Sequence, residues 1–367
     1  MKYKNIIVTG SIAYDEIMDF PGKFQDHFHL EKLHQINVSF VVDRLEKQLG
    51  GTATNIAYNI QQMLNLKCQS SKIQIKSKLQ NNSKNIKDSK FSILLVPRIP
   101  PKVGEVGNSK LYLLGAVGKD GSQFIDFFKK QGIDTVGLLS DKSLYTSTGK
   151  VITDNVDNQI WGFYYGASSQ TVKINLKKYA DKNSLVVISA NHPTGFLKFQ
   201  KQVIEIGCDY LYDPGMTLTW IKDDDLQDGI MNCRWLVGND YEISQIEKRL
   251  NLTTEQMVKK GVTVITTLGE KGVKYQLKIH QVHQVNKDKN YKIINKVIPA
   301  VKVKKVVDPT GAGDAWRGGF IAGIITGKAI DDCVKLANVC ASFAVEKIGT
   351  VNHKVNEKEF EKRLRTI

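Results

Sequence analysis

The longest run of chemically suggestive residues lies at 308–320 and reads Asp-Pro-Thr-Gly-Ala-Gly-Asp-Ala-Trp-Arg-Gly-Gly-Phe. Its centre, Gly311, Ala312 and Gly313, predicts a tight turn that opens a helix, and the backbone N–H groups at a helix start bind anions. Asp314 follows in the first turn of that helix. There it could accept the proton of a hydroxyl while the N–H groups stabilise charge on a transferred phosphoryl group. A simple helix cap is the competing interpretation of Asp314.

A second glycine turn, Gly-Gly-Thr-Ala-Thr-Asn, covers residues 50–55 and leads into another helical pattern. Gly50 and Gly51 would let the backbone approach a ligand closely. Asn55 can either cap the helix or bind a sugar hydroxyl.

A third candidate binding residue is Asp15. It is the last residue of Gly-Ser-Ile-Ala-Tyr-Asp at 10–15, which directly follows the first predicted strand. A carboxylate can accept two hydrogen bonds from a vicinal diol such as that of ribose. Ser11 and Ala13 would be its neighbours in the pocket. A solvated loop Asp is the alternative.

The elements that must position these residues are short apolar strands alternating with longer helical patterns, which predicts a mainly parallel sheet covered by helices. Ligands bind at the carboxyl ends of such strands, so the polar residues there, including Asn191 and Asp213, are the expected lining of the site. The predicted strands are Ile6–Thr9, Leu111–Gly115, Leu185–Ser189, Tyr210–Tyr212, Trp235–Val237 and Val264–Thr267.

Two stretches, His34–Val42 and Thr146–Tyr165, interrupt this alternation and are typical of half-exposed antiparallel strands. Together they predict a small β-lid, with lid segments at about 16–46 and 144–168. Its aromatic residues could stack on a planar base. They are Phe40, Trp161, Phe163 and Tyr164.

The net charge of the 367-residue chain is +15, but its distribution is uneven. Residues 67–110 carry a net charge of +8 and residues 271–305 one of +9, which leaves −2 on the rest. Only seven of the 52 basic residues are Arg, whereas phosphate-backbone recognition favours the guanidinium. We therefore interpret 67–110 as a Lys/Asn/Ser-rich insertion in which only Phe91–Val96 packs, and 271–305 as an extended basic β segment. A nucleic-acid partner is not expected.

The five cysteines show no Cys-x-x-Cys pair, which predicts reduced thiols in a cytoplasmic protein. The N-terminal residues lead into a strand pattern rather than a signal peptide, and no apolar run approaches the roughly 18 residues of a membrane span. No Gly-x-x-x-x-Gly-Lys-Ser/Thr motif is present either, which disfavours a P-loop kinase or GTPase.

At every position from Asp308 to Ile321 the sequence resembles the C-terminal signature of the ribokinase-like (PfkB) carbohydrate and nucleoside kinases. The resemblance implies a single ribokinase-like domain over 1–367, built as a three-layer α/β/α sandwich with a mainly parallel central sheet and the small β-lid. It implies that Asp314 is the general base and Gly311–Gly313 the anion hole. For the substrate it implies Asp15, Ser11, Gly50, Gly51 and Asn55, to which we add Phe163 as a base contact.

The same resemblance implies a nucleotide side that uses ATP and Mg²⁺. Asn239-Asp-Tyr-Glu242 is similar to the family motif that positions magnesium through water, although Glu242 as a helix cap competes. Thr267, Gly269 and Gly272 resemble the family's ATP-side turn. Asn338 would line the ATP base, and K⁺, which activates many members, would bind near 306–310.

Residues 10–24 and 346–353 are most similar to bacterial adenosine-kinase-type members, so adenosine is the expected acceptor. A free sugar or another nucleoside is the alternative, and a catalytically dead interaction module is a further one. Many adenosine kinases carry a basic lid residue near the transferred phosphate, but residues 157–160 here read Asp-Asn-Gln-Ile. Magnesium, the glycine-turn amides or Lys150 could replace it. The lid sheet could also serve as a homodimer surface.

Overall fold

The computed structural model of the chain describes residues 3–28, 38–66, 105–106, 109–156, 158–280 and 291–367. The strands are β1 (Asn5–Thr9), β2 (Ala13–Asp19), β3 (Arg44–Gly50), β4 (Glu105–Val106), β5 (Ser109–Val117), β6 (Leu138–Ser140), β7 (Ser147–Thr153), β8 (Gln159–Tyr164), β9 (Ser184–Ser189), β10 (Asp209–Asp213), β11 (Trp235–Asn239), β12 (Thr263–Thr267), β13 (Val273–His280) and β14 (Tyr291–Ile298). The helices are α1 (52–66), α2 (Ser122–Gln131), α3 (Pro193–Ile206), α4 (Asp223–Met231), α5 (Asp240–Leu250), α6 (Thr254–Lys259), α7 (Ala312–Ile325), α8 (Ile330–Ala344) and α9 (Glu357–Leu364).

The large sheet has the strand order β14-β13-β12-β11-β10-β9-β1-β5-β4, with β6 also paired to β5. Its central strands, from β5 through β1 and β9 to β12, are parallel, whereas β13 and β14 form an antiparallel hairpin at one edge. The central strands are nearly continuous apolar runs because helices cover both faces of the sheet. All six strands predicted from the sequence are present.

Alternation along each strand separates the two apolar layers. Ile6 and Val8 of β1 pack with residues of α1, α7 and α8, whereas Ile7 points to the other face and packs with α3, α4 and α5. The side-chain period of two in a strand produces this division. The fold is therefore the predicted three-layer α/β/α sandwich with a mainly parallel central sheet.

A smaller sheet has the order β3-β2-β7-β8, in which β2 and β7 are parallel and the outer pairs antiparallel. The stretch Thr146–Tyr165 forms β7 and β8, as expected. The predicted strand at His34–Val42 is wrong for residues 38–42, which are not in a strand, while 34–37 lie outside the described residues. β2 and β3 take its place. The backbone of β2 pairs with β7 and that of β3 pairs with β2, and this pairing holds both strands even though they carry charged side chains.

The two basic segments are described in part. Phe91–Val96 lies outside the described residues, as does most of 67–110, and the β13–β14 hairpin occupies much of 271–305. In the ranges that the structure covers, no helix has the length and apolarity to cross a membrane.

Helix α7 lies against α8 without room for a side chain at Gly319. A Cβ atom there would stand 2.8 Å from Ala337 Cα and Cys340 Cβ. We predict that Gly319→Ala lowers the free energy of unfolding by about 1–3 kcal/mol, because an overpacked core must shift its backbone. Urea unfolding measures the change. The matched control is Gly162→Ala on β8, where no atom lies within 4 Å; equal stabilities of the two variants would contradict this packing account.

Candidate active site

A cleft of about 290 Å³ opens where the parallel strands end. Ser11 follows β1, Asn191 follows β9 and Asp213 ends β10, and all three line the cleft. This position is the one expected for ligands in an open α/β sheet, because the strand order leaves a crevice at the carboxyl ends.

The Gly-Ala-Gly turn forms one wall of this cleft. Gly311 has a φ of +75° and caps α7, which begins at Ala312, and both Gly311 and Gly313 line the cleft. The Ala312 N–H donates to the Pro309 carbonyl oxygen at 3.2 Å. The N–H groups of Gly313 and Asp314 come too early in α7 to have a partner four residues back in the helix, so the turn can offer these two to an anion.

Asp314 lies in the first turn of α7 and lines the same cleft. Asn55 of α1 donates a hydrogen bond from Nδ2 to Asp314 Oδ2 at 2.8 Å. Burial raises the pKa of Asp314 above its ordinary value of 3.8, opposed by Arg317 and the Asn55 hydrogen bond and reinforced by Glu242. The result is a fixed carboxylate with an increased affinity for a proton.

The turn before α1 is held against the residues that follow β1. Gly51 has a φ of +89°, and a Cβ atom there would stand 2.5 Å from the Ser11 carbonyl oxygen. Thr52 donates its backbone N–H to Ser11 Oγ at 3.1 Å. Only glycine fits where the turn comes this close to Ser11. The turn places Asn55, one turn into α1, so that its side chain reaches Asp314.

Asp15 lies on β2 and is not among the residues that line the cleft. Its carboxylate fills the space where Gly50 would carry a side chain, and Gly149 of β7 lies on its other side. Burial, followed by the charges of Asp314 and Asp308, raises the pKa of Asp15 from 3.8 to about 7. It is therefore close enough to Asp314 to respond to its charge.

Aromatic side chains of the small sheet lie beside Asp15. A Cβ atom on Gly149 would lie 3.4 Å from Asp15 Oδ1 and 3.5 Å from both Phe163 and Trp161. Phe163 also lines the cleft. Of the other aromatic residues singled out in the sequence, Tyr164 is exposed, and Phe40 packs in a cluster with Phe20 and Phe24.

The Asn-x-x-Glu motif forms a capping box at the start of α5. Asn239 Oδ1 accepts a hydrogen bond from the Glu242 backbone N–H, and Glu242 Oε2 accepts one from the Asn239 N–H, both at 2.8 Å. The motif thus has the capping role that competed with a magnesium role. Glu242 nevertheless lines the cleft, whereas Asn239 does not.

The other residues expected on the nucleotide side lie outside this cleft. Thr267, Gly269 and Gly272 form the tight connection between β12 and β13. Asn338 is buried in α8, where it accepts a hydrogen bond from Trp316 Nε1 and donates to the Pro299 carbonyl oxygen, both at 2.8 Å. Its side chain joins α8 to α7 and to the segment after β14.

Sequence reasoning missed Arg317 and Thr217. Both are buried and both line the cleft. Asp213, expected only as a lining residue, accepts a hydrogen bond from Arg317 Nη2 at 2.6 Å. Burial raises the pKa of Asp213, and the paired guanidinium opposes that rise. Arg317 lies inside the glycine-rich stretch, but the sequence does not show that it pairs with Asp213, which is 104 residues away.

The cleft suits a divalent cation held jointly with a phosphate. Asp213, Glu242 and Asp314 all line it, so carboxylates outnumber the one guanidinium of Arg317 among its described lining residues. Within the described ranges no cluster of three or more His, Cys, Asp or Glu side chains could hold a metal by itself. Mg²⁺ ordinarily keeps several waters and uses one or two carboxylates plus substrate phosphates, so the residues present fit that ion.

A buried hydrogen-bond chain supports the Asn55–Asp314 pair from behind. Asn59 donates from Nδ2 to the Asn55 carbonyl oxygen at 2.9 Å, and its Oδ1 lies 2.8 Å from His353 Nε2. Burial lowers the pKa of His353 from 6.5 to about 4. His353 is therefore neutral at physiological pH and can donate from Nε2 to Asn59.

The sequence of the chain is similar to those of known kinases. A family model described as pfkB family carbohydrate kinase matches residues 103–357. The chain is 25% identical over 351 residues to a nucleoside kinase of Methanothermobacter thermautotrophicus, covering 95% of this chain and 91% of that protein.

Two structures of a Burkholderia thailandensis nucleoside kinase are also similar. The complex with inosine has a TM-score of 0.73 at 23% identity and covers 98% of this chain and 97% of the other. The complex with ADP-inosine has a TM-score of 0.71 at 23% identity and covers 98% and 95%. At this level of identity, the likeness confirms the fold.

The depressed pKa of His353 predicts a pH dependence of stability. The unfolded chain takes up a proton on this residue below about pH 6.5 while the folded chain does not, so stability is lost as the pH falls from 6.5 to 4. The shift corresponds to about 3 kcal/mol. Urea unfolding at pH 7 and pH 4 should show a loss about 3 kcal/mol larger for the wild type than for His353→Gln. Equal losses would contradict a buried, neutral His353.

Proposed function

Because the chain belongs to the pfkB family of carbohydrate kinases, we propose that it transfers the γ-phosphoryl group of ATP to the 5′-hydroxyl of a nucleoside, with adenosine as the preferred acceptor. One observation carries the proposal: Asp314, fixed by Asn55, stands beside the Gly311–Gly313 turn in a cleft that Phe163 of the small sheet also lines. A proton acceptor, an anion site and an aromatic face occur together there.

The acceptor side is formed by α1, β2 and the small sheet. Asp15 accepts hydrogen bonds from the ribose 2′- and 3′-hydroxyls, and Ser11 and the turn at Gly50 and Gly51 surround the sugar. Phe163, near the Asp15 carboxylate, stacks on the base. A free sugar would leave this aromatic face unused, so the arrangement favours a nucleoside.

The reaction needs a base and a site for negative charge. Asp314 takes the proton of the 5′-hydroxyl as its oxygen attacks the γ-phosphorus, and ADP leaves with the electron pair of the broken bond to the β–γ bridging oxygen. The N–H groups of the glycine turn stabilise the charge on the transferred group. Glu242, through water, would hold Mg²⁺, which would supply positive charge to neutralise the phosphates. Closure of the small sheet over the cleft excludes water and so limits ATP hydrolysis.

The acceptor is tested by measuring ATP consumption with adenosine, inosine, ribose and fructose, and by identifying the product with ³¹P NMR. We expect the highest kcat/KM for adenosine and a 5′-monophosphate as product. A higher value for inosine would correct the nucleoside, and preference for ribose or fructose would favour the free-sugar alternative. No turnover with any of the four would overturn the proposal.

Replacing Asp314 by Asn preserves the shape of the side chain but removes the base. We predict that kcat falls by about 10²–10⁴-fold, because that is the usual contribution of a general base. The nucleoside Kd, measured by calorimetry, should change far less, since the base acts mainly in the transition state. A near-normal kcat would show that Asp314 is not the base.

The raised pKa of Asp15 predicts that nucleoside binding is coupled to proton release. Asp15 must be ionised to accept two hydroxyl hydrogen bonds, so Kd should rise as the pH falls below about 7, by up to tenfold per pH unit. Calorimetry in buffers of different ionisation enthalpy at pH 7 should detect the released proton. Asp15→Asn is the control and should bind weakly with a flatter pH profile. A wild-type Kd that is constant from pH 5 to 8 would exclude this role.

A further inference from the structure

Arg317 is a buried cation at the centre of the candidate site. It lies one turn after Asp314 on α7, lines the same cleft and is 8% exposed. A Cβ atom on Gly313 would stand 2.6 Å from Arg317 Nη1. The guanidinium therefore lies directly against the glycine turn, and the missing side chain at Gly313 makes room for it.

Part of the hydrogen-bonding capacity of this guanidinium is unused. Nη2 donates to Asp213 Oδ1 at 2.6 Å, but Nε is buried and has no hydrogen-bond partner among the described residues. Thr217 Oγ1 is likewise buried without a partner in the described part of the chain, and Thr217 lines the same cleft. An unmade hydrogen bond at a buried polar group costs about 1–3 kcal/mol, so the pair indicates a ligand rich in acceptor oxygens.

The other candidate cation is engaged elsewhere. Lys150 Nζ lies 2.7 Å from Glu16 Oε2, its side chain is 60% exposed, and it does not line the cleft. Arg317 is the only Lys or Arg among the described residues that do. Three carboxylates surround it there, so without its charge the cleft would repel a phosphate.

We propose that Arg317 contacts the transferred phosphoryl group and that Asp213 is the residue that positions it. The inference rests on the proposed kinase function. As the bond from the acceptor oxygen to the γ-phosphorus forms and the bond to the β–γ bridging oxygen breaks, Arg317 donates hydrogen bonds to the non-bridging oxygens. Arg317 itself gains and loses no proton, because a guanidinium stays charged throughout. A basic residue at the lid turn is then unnecessary.

A purely structural role is the competing explanation: Arg317 would serve only to neutralise the buried Asp213. The two explanations differ for the double variant Asp213→Asn/Arg317→Met. Replacing both members of a buried ion pair is often neutral for stability, whereas removing one member strands a buried charge. If Arg317 is only a counter-ion, the double variant regains activity; if it contacts the phosphoryl group, the double variant stays slow.

We expect kcat of the double variant to be about 10²–10³-fold below wild type, with the nucleoside Kd within threefold and the Tm close to wild type. Arg317→Lys is the second variant, which keeps the charge next to Asp213 but loses the planar fork. It should fold and lose at least about tenfold in kcat. Wild-type kcat in either folded variant would overturn the proposal. If the wild type itself phosphorylates no acceptor, the proposed function fails instead, so the two failures are distinguishable.

Discussion

The hydrogen bond from Asn55 to Asp314 joins two helix starts that lie 259 residues apart in the sequence, and the candidate site depends on it. For it to form, α1 and α7 must pack on the same face of the large sheet with their N-termini side by side. The glycines of α7 allow this packing, since Gly318 lies against Asn59 and Ile56 of α1 without space for a side chain. The buried chain from His353 through Asn59 then holds the backbone carbonyl of Asn55 and so fixes the start of α1.

Burial and charge shape the chemistry of the same region. Asp15, Asp213 and Asp314 all have raised pKa values, in each case chiefly because burial disfavours the carboxylate. Raised carboxyl pKa values gathered at one end of a sheet are typical of functional sites. Here the guanidinium of Arg317 lowers the pKa of both Asp213 and Asp314 and so offsets part of the effect of their burial.

The sequence was informative wherever a local pattern determines the structure. The apolar strands of the large sheet and the two glycine turns were predicted because burial on both faces and a turn before a helix leave clear signatures. The strands β2 and β3 were missed because they are partly exposed and carry charged residues, so only backbone pairing, of β3 with β2 and of β2 with β7, defines them. The roles of the Asn338 and Arg317 side chains were also not predictable from local sequence. Whether a polar residue on a helix packs, as Asn338 does, or lines a cleft, as Arg317 does, depends on partners far away in the sequence.

The central claim is that Asp15 and Asp314 hold opposite ends of one nucleoside. A crystal structure with adenosine and a non-hydrolysable ATP analogue tests it most directly. The account predicts the ribose 2′- and 3′-hydroxyls on Asp15, and the 5′-oxygen within about 3 Å of Asp314 and facing the Gly311–Gly313 turn. A nucleoside bound with its 5′-oxygen away from Asp314, or with its diol away from Asp15, would contradict the account.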